Sequence, residues 1–185
     1  MGDSNDVNQS NAAADGDVVG RDKVTTNFHY RRSKIEVLLE RLGLEDNDGT
    51  LRATPNETLQ YYAEPVADDG VLGLEAKLAA AGRSGQLPKA IREKEQFAKI
   101  IEAWAHSEIA QSVLSELLSH VEQKYNNNIY TLKDSLPKAE FDKLVYSEII
   151  EPLNEKVGAN PLGVCELTIS GMVYWLAEKC HIRWH

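Results

Sequence analysis

The side chains best equipped for chemistry gather at the end of the chain, in "EKCHIRWH", residues 178–185. Cys180, His181 and His185, with Cys165 upstream, are the residue types that ligate zinc or iron, and a thiol beside an imidazole is the smallest nucleophile–base pair. The spacing speaks against both uses. Neighbours in sequence rarely point at each other, and dyad partners usually come from distant segments. A Cys/His metal set here has no C-x-x-C and no H-E-x-x-H, and a ligand at the last position, His185, competes with its own carboxylate and mobility. The expectation is therefore no catalytic residue, no cofactor and no metal. Cys165 and Cys180 become small buried groups, and His181 becomes a core histidine with a satisfied hydrogen bond. His181, Arg183 and Trp184 form the end that either docks a partner or packs on its own domain, since Trp and Arg are enriched where binding energy concentrates. The alternative class is a small metal-dependent enzyme with Cys180, His181 and His185 around the ion.

Other chemistries find less support. Phosphate cradling needs backbone N–H groups in a G-x-x-x-x-G-K-[ST] or G-x-G-x-x-G turn. The glycines of "GDVVGRDK", residues 16–23, fit neither, and no helical pattern follows them directly. A hydrolase elbow G-x-S-x-G is absent. Glu45, Asp46 and Asp48 loosely echo a calcium loop, and Glu57 falls at the twelfth position counted from Asp46. The intermediate ligand spacing is poor and Pro55 intrudes, so these carboxylates, like Asp68 and Asp69, read as solvated loops.

Bulk properties narrow the partners. The chain has 185 residues, enough for one domain and a tail, with 42% hydrophobic and 26% charged residues, as in soluble globular proteins. A net charge of −9 repels phosphate, which disfavours nucleic acid and anionic membrane surfaces as partners. No apolar run approaches the ~20 residues of a spanning helix. The polar, acidic start lacks the basic and apolar regions of a secretory signal, and position 6 lacks the Ser or Thr of a myristoylation site. Two cysteines make no disulfide framework, so a cytoplasmic protein with reduced thiols is expected.

Positioning these residues falls to two segments. Residues 1–32 are expected to be a flexible or β-structured arm. Within it Val18, Val19, Val24, Phe28 and Tyr30 are β-formers, and Gly16 and Gly20 punctuate them. A lone hairpin is marginal in water. Self-association through Gly16, Asp17, Val18, Val19, Gly20, Arg21, Asp22, Lys23 and Val24 would complete its pairing.

Residues 33–185 show helical periodicity, and the fold class expected is an irregular all-α bundle of six or seven helices. Ile35, Leu38, Leu39 and Leu42 mark the first helix and Gly43 its stop. Short helices follow at residues 57–63 and 73–81. Pro88 opens a long helix to about residue 105 with Ile91, Phe97, Ile100, Ile101 and Trp104 inward. Ser107 caps the next, with Ile109, Val113, Leu114, Leu117, Leu118 and Val121 on one face, before "YNNNIYTLKDSLP" breaks it. Another begins at Pro137, buries Phe141, Leu144, Val145, Tyr146, Ile149 and Ile150, and kinks or ends at Pro152. Thr168 or Ser170 starts the last, with Met172, Val173, Trp175 and Leu176.

With these residues in place, "GMVYWLAEKCHIRW" (171–184) resembles the closing helix and tail of C-terminal domains in bacterial ABC-three-component conflict systems. "LQYYAEPV", "VLGLEAKLAAAGR", "FAKIIEAWAHSEIAQSVLSELLSHVEQKY" and "YSEIIEPL" fit the same domain, so the resemblance runs over residues 34–184. "GDVVGRDKVT" resembles a short N-terminal module of bacterial defence proteins that forms a β-structured multimerisation element. The family implies an ABC-type ATPase, a small middle component, and a third protein anchored to them by its C-terminal domain, often behind a nuclease or protease effector. About 30 residues precede the domain here and hold no effector. The resemblance therefore implies a non-enzymatic adaptor, sensor or scaffold in antiphage or antiplasmid immunity, self-associating through the arm.

Overall fold

Ser33 begins the first helix with a reciprocal cap: its hydroxyl accepts from the Glu36 N–H at 3.3 Å, and the Glu36 carboxylate accepts from the Ser33 N–H at 2.7 Å. The computed structural model describes residues 32–44, 56–66 and 70–184. They fall in one compact unit that begins at Arg32. The arm with its Gly16–Val24 element, the acidic groups at 45–48 and 68–69, and His185 lie outside the described residues.

Among the described residues the helices are α1 (Lys34–Gly43), α2 (Glu57–Ala63), α3 (Gly73–Ala80), α4 (Leu87–Ala103), α5 (Glu108–Lys124), α6 (Lys138–Val145), α7 (Glu151–Val157) and α8 (Glu166–Glu178). A π-helical turn, Tyr146–Ile150, joins α6 to α7 in one rod, so the described bundle has seven helices and no strand. The all-α class expected from periodicity is what the structure shows.

α5 is the central rod. Ser107 accepts from the Ala110 N–H at 3.0 Å to start it. Val113, Leu114, Leu117, Leu118 and Val121 are then fully buried. α1 packs on α5 through Ile35 and Leu42. α2 docks by polar contacts: Asn56 accepts from Leu59 N–H at 2.7 Å and from the Ser115 hydroxyl at 3.0 Å, while its own N–H donates to Gln111 Oε1 at 2.8 Å. The largest interface joins α4 and α8. Gly171 makes it possible, because a Cβ at that position would stand 2.3 Å from the Glu93 carbonyl oxygen.

Several expectations are corrected. Ile91 is 39% exposed; α4 instead turns Ala90, Glu93 and Phe97 inward. Burying Glu93 is tolerable because its carboxylate accepts from the Ser170 hydroxyl at 2.6 Å and lies 3.8 Å from Lys89 Nζ. Tyr146 is 41% exposed rather than buried, donating to Glu166 at 3.1 Å. Residues 125–132 do not break α5 but prolong it, as a π turn (Tyr125–Ile129) and a 3₁₀ turn (Tyr130–Leu132), which sends Tyr125 and Ile129 into the core. Pro152 does not end its helix. The wider π turn before it bonds the Glu151 N–H to the Tyr146 carbonyl and makes room for the ring. α8 starts at Glu166 rather than at Thr168 or Ser170: Cys165 is the N-cap, and Thr168 turns back to accept from its N–H at 2.9 Å. Cys165 is therefore exposed, not buried.

Candidate functional site

The end of α8 decides what the terminal residues can do. Its last turn closes with the Cys180 N–H on the Ala177 carbonyl at 3.2 Å and the His181 N–H on the Leu176 carbonyl at 2.9 Å. These are the two bonds of a Schellman motif. The motif requires left-handed backbone at Cys180, whose φ is +66°, the one positive value among described non-glycine residues. The chain then folds back. Ile182 is buried, and Tyr125 Oη donates to the Arg183 carbonyl at 2.7 Å. Trp175 Nε1 donates to the Tyr62 carbonyl at 2.9 Å and the Val66 N–H to the Lys179 carbonyl at 2.9 Å, which ties α2 and its following loop to this end of α8.

This turn sends its two reactive side chains to different partners. The His181 imidazole has 0% side-chain exposure and packs against the rings of both Tyr61 and Tyr62, with centroids at 4.7 and 5.0 Å. Glu122 Oε1 is 3.8 Å from Nδ1, too far for a hydrogen bond, while Glu122 Oε2 accepts from Tyr62 Oη at 2.8 Å. Neither ring nitrogen meets a partner at hydrogen-bonding geometry among the described residues. The satisfied core hydrogen bond expected for His181 is thus replaced by aromatic packing. Burial lowers its pKa below the ordinary 6.5; Glu122 and the nearby Glu64 and Tyr61 backbone pull the other way and are outweighed. Cys180, also buried, meets Lys77 instead. Lys77 is fully buried on α3 and donates to the Ala177 carbonyl at 2.6 Å and to Cys180 Sγ at 2.9 Å.

Among the described residues, Cys165, Cys180 and His181 do not assemble as metal ligands. Cys165 and Cys180 cap opposite ends of α8, which at ~1.5 Å per residue is about 20 Å long, so they cannot share an ion. Among the described residues no three His, Cys, Asp or Glu side chains converge as a ligand set. Cys180 and His181 likewise do not address one another as nucleophile and base.

An open surface lies beside the turn. A groove of about 200 Å³ runs between α6, its π turn and α8, lined by Arg83, Asp142, Tyr146, Tyr174 and Trp184 among others. A second hollow of about 230 Å³ adjoins it and shares Arg83, Phe141 and Trp184. Trp184 is half-buried and stands edge-on to Tyr174 with centroids 5.4 Å apart. Burial raises the Tyr174 phenol to about 12, so it stays protonated. Arg83 is ion-paired with Asp142, and its guanidinium carbon sits 5.0 Å over the Phe141 ring. The groove therefore presents aromatic faces and a fixed arginine next to the tail. Trp184 was legible from sequence as a candidate, but Arg83, Tyr146 and Tyr174 were not. Their convergence depends on the loop after α3, the π turn after α6 and α8 coming together, and no local spacing encodes that.

A family model for C-terminal domain 9 of the ABC-three component (ABC-3C) systems matches residues 73–184, from α3 through the tail. The match is shorter than the expected 34–184, leaving α1 and α2 outside it, and it does not reach the 16–24 element. No curated protein and no solved structure matches the chain.

Proposed function

The chain belongs to the C-terminal domain 9 family of the ABC-three component conflict systems, and from that membership we propose that it is a non-enzymatic interaction module. It acts in the cytoplasm as an adaptor, scaffold or sensor of antiphage or antiplasmid immunity, and engages the ABC-type ATPase and middle component of its own system. The observation that supports this reading is how the C-terminal turn divides its side chains. Cys180 and His181 are taken up internally by Lys77 and the tyrosine rings, while Trp184 opens onto a groove of Tyr and Arg, the residues that dominate interface hot spots. Among the described residues no helix is long and apolar enough to cross a membrane.

Self-association through Gly16–Val24 belongs to the same proposal. Gathering several copies raises the effective concentration of each docking face, so individually weak contacts become strong.

The experiment is co-expression with the system's ATPase and middle component, followed by affinity capture and mass spectrometry. Trp184→Ala should lose the ATPase while its melting temperature stays close to that of the parent. Because Trp184 also packs on Tyr174, Tyr146→Ala, at a more exposed groove position, provides the second arm and should weaken capture too. Full capture by both variants overturns docking at this groove. Removal of residues 1–30 should turn a closed oligomer into a monomer in solution, and an unchanged mass retires the arm. Stoichiometric zinc or iron in the purified protein would replace the whole reading with a metal centre at Cys180, His181 and His185.

A further inference from the structure

We propose that Lys77 and Cys180 form a covalent cross-link when the protein meets a hydroperoxide, a reversible modification site that fastens α3 to the C-terminal turn. Three observations converge on this pair. Lys77 is 0% exposed, and its ammonium meets only the Ala177 carbonyl and the Cys180 thiol, with no carboxylate in ion-pairing range among the described residues. Burying a cation is costly; the Ala177 carbonyl in the last turn of α8 offsets part of that cost, and the other partner of Lys77 is the thiol. The Nζ–Sγ separation of 2.9 Å is ordinary for nitrogen to oxygen but close for the larger sulfur, so an N–S bond can form with little movement of the main chain. Finally, Cys180 occupies the left-handed position of a Schellman motif, where glycine is the favoured residue. The turn does not need a thiol; Lys77 is what the thiol addresses.

The chemistry balances in two steps. The hydroperoxide oxidises the thiol to a sulfenic acid: an S–O bond forms, the O–O bond breaks, and water leaves carrying the thiol's proton when the oxidant is hydrogen peroxide. Lys77 attacks sulfur as the free amine, the extra proton of its ammonium form leaving as hydronium on the water released in the first step. The N–S bond forms, the S–O bond breaks, and hydroxide departs as water with a proton from nitrogen. In sum, amine, thiol and hydrogen peroxide give a sulfenamide and two waters, and the peroxide takes both electrons. A dithiol reductant attacks the sulfur, which breaks the N–S bond, frees the Lys77 amine and leaves a mixed disulfide; its second thiol then displaces Cys180 and departs as the cyclic disulfide. The link closes a long loop, and the resulting constraint on the unfolded chain stabilises the fold as a disulfide does. It also pins the turn that presents Arg183 and Trp184, so an oxidant would set how freely the tail moves.

The test uses the full chain with Cys165→Ser, which leaves Cys180 as its single thiol. After hydrogen peroxide and alkylation, the intact mass should fall by two hydrogens. Peptide mapping should join the segments containing residues 77 and 180, dithiothreitol should reverse the change, and the melting temperature should rise on oxidation. Adding Cys180→Ser must abolish the mass loss and the rise. Lys77→Met should divert Cys180 to sulfinic and sulfonic acids. Should that variant fail to fold, the Cys180→Ser comparison still decides. Progress of Cys180 to those acids in the parent with Lys77 free overturns the proposal, as does an equal yield of the link in urea, where the 2.9 Å placement is lost. The readout needs no partner, so its failure and the failure of groove docking are separately visible.

Discussion

Replacing Gly171 by alanine should destabilise the bundle, although alanine is the better helix former by about 1 kcal/mol. The opposing effect follows from the geometry. A Cβ at Gly171 would lie 2.3 Å from the Glu93 carbonyl oxygen, 2.8 Å from its carbon and 3.1 Å from Phe97 Cβ. Comfortable carbon–oxygen contact needs roughly 3.3 Å, so α4 and α8 would have to part by about 1 Å. The obstacle is backbone and cannot rotate away. A gap of that size forfeits a quarter to a half of the dispersion energy of each affected contact, over the largest interface in the fold. Overpacking of this kind costs about 1–3 kcal/mol and more against rigid backbone. Taking the upper end of that range, about 3 kcal/mol, and subtracting the propensity gain of about 1 leaves a net loss of about 2 kcal/mol, or roughly 4–8 °C in melting temperature for a domain of this size. Thermal and urea unfolding followed by far-UV circular dichroism measures it. Gly85→Ala is the control: no atom lies within 4 Å of the added Cβ there, so its stability should match or slightly exceed the parent's. A Gly171→Ala variant that melts at or above the parent would refute the account of how α4 and α8 pack.

Two further outcomes concern the C-terminal turn. His181 folds with its pKa pushed below 6.5 by burial, and His120 shifts the same way, chiefly by burial and then by Lys156 and Lys124. Below pH 6.5 the unfolded chain takes up protons that the folded chain refuses. The stability these histidines support is thus complete above that pH and declines as pH falls toward the folded pKa, by at most about 1.4 kcal/mol per pH unit for each. Melting temperature should fall from pH 7 toward pH 5, and His181→Phe, which keeps a ring against Tyr61 and Tyr62, should flatten the decline; an unaltered slope would show that His181 does not contribute to it. Tyr125→Phe removes the donor to the Arg183 carbonyl at a cost of about 1 kcal/mol. Hydrogen exchange should quicken at residues 182–184 while α4 and α8 stay protected, and unchanged exchange would show that the Tyr125 bond does not hold the tail.

The amino-acid sequence by itself determined the helical class, the buried faces of α1 and α5, and the cap at Ser107. Each of these depends on interactions within about a turn or two of helix, where side chains three and four apart share a face and a hydroxyl reaches the next exposed N–H. It also singled out Trp184 and the Cys180–His181 pair as residues to explain. Only the tertiary structure decided what they meet. Lys77 reads as a surface lysine until the end of α8 covers it, and Glu93 reads as a solvated acid until Ser170 arrives. Gly171 reads as a weak point in a helix until the Glu93 backbone occupies the space a side chain would need. The π turn that sends Tyr125 into the core belongs with these, whereas the one before Pro152 answers to the ring's own local demand for room. Burial of a charged group, or the close approach of two backbones, is set by residues far away in sequence, and no periodic pattern records which of them will come together.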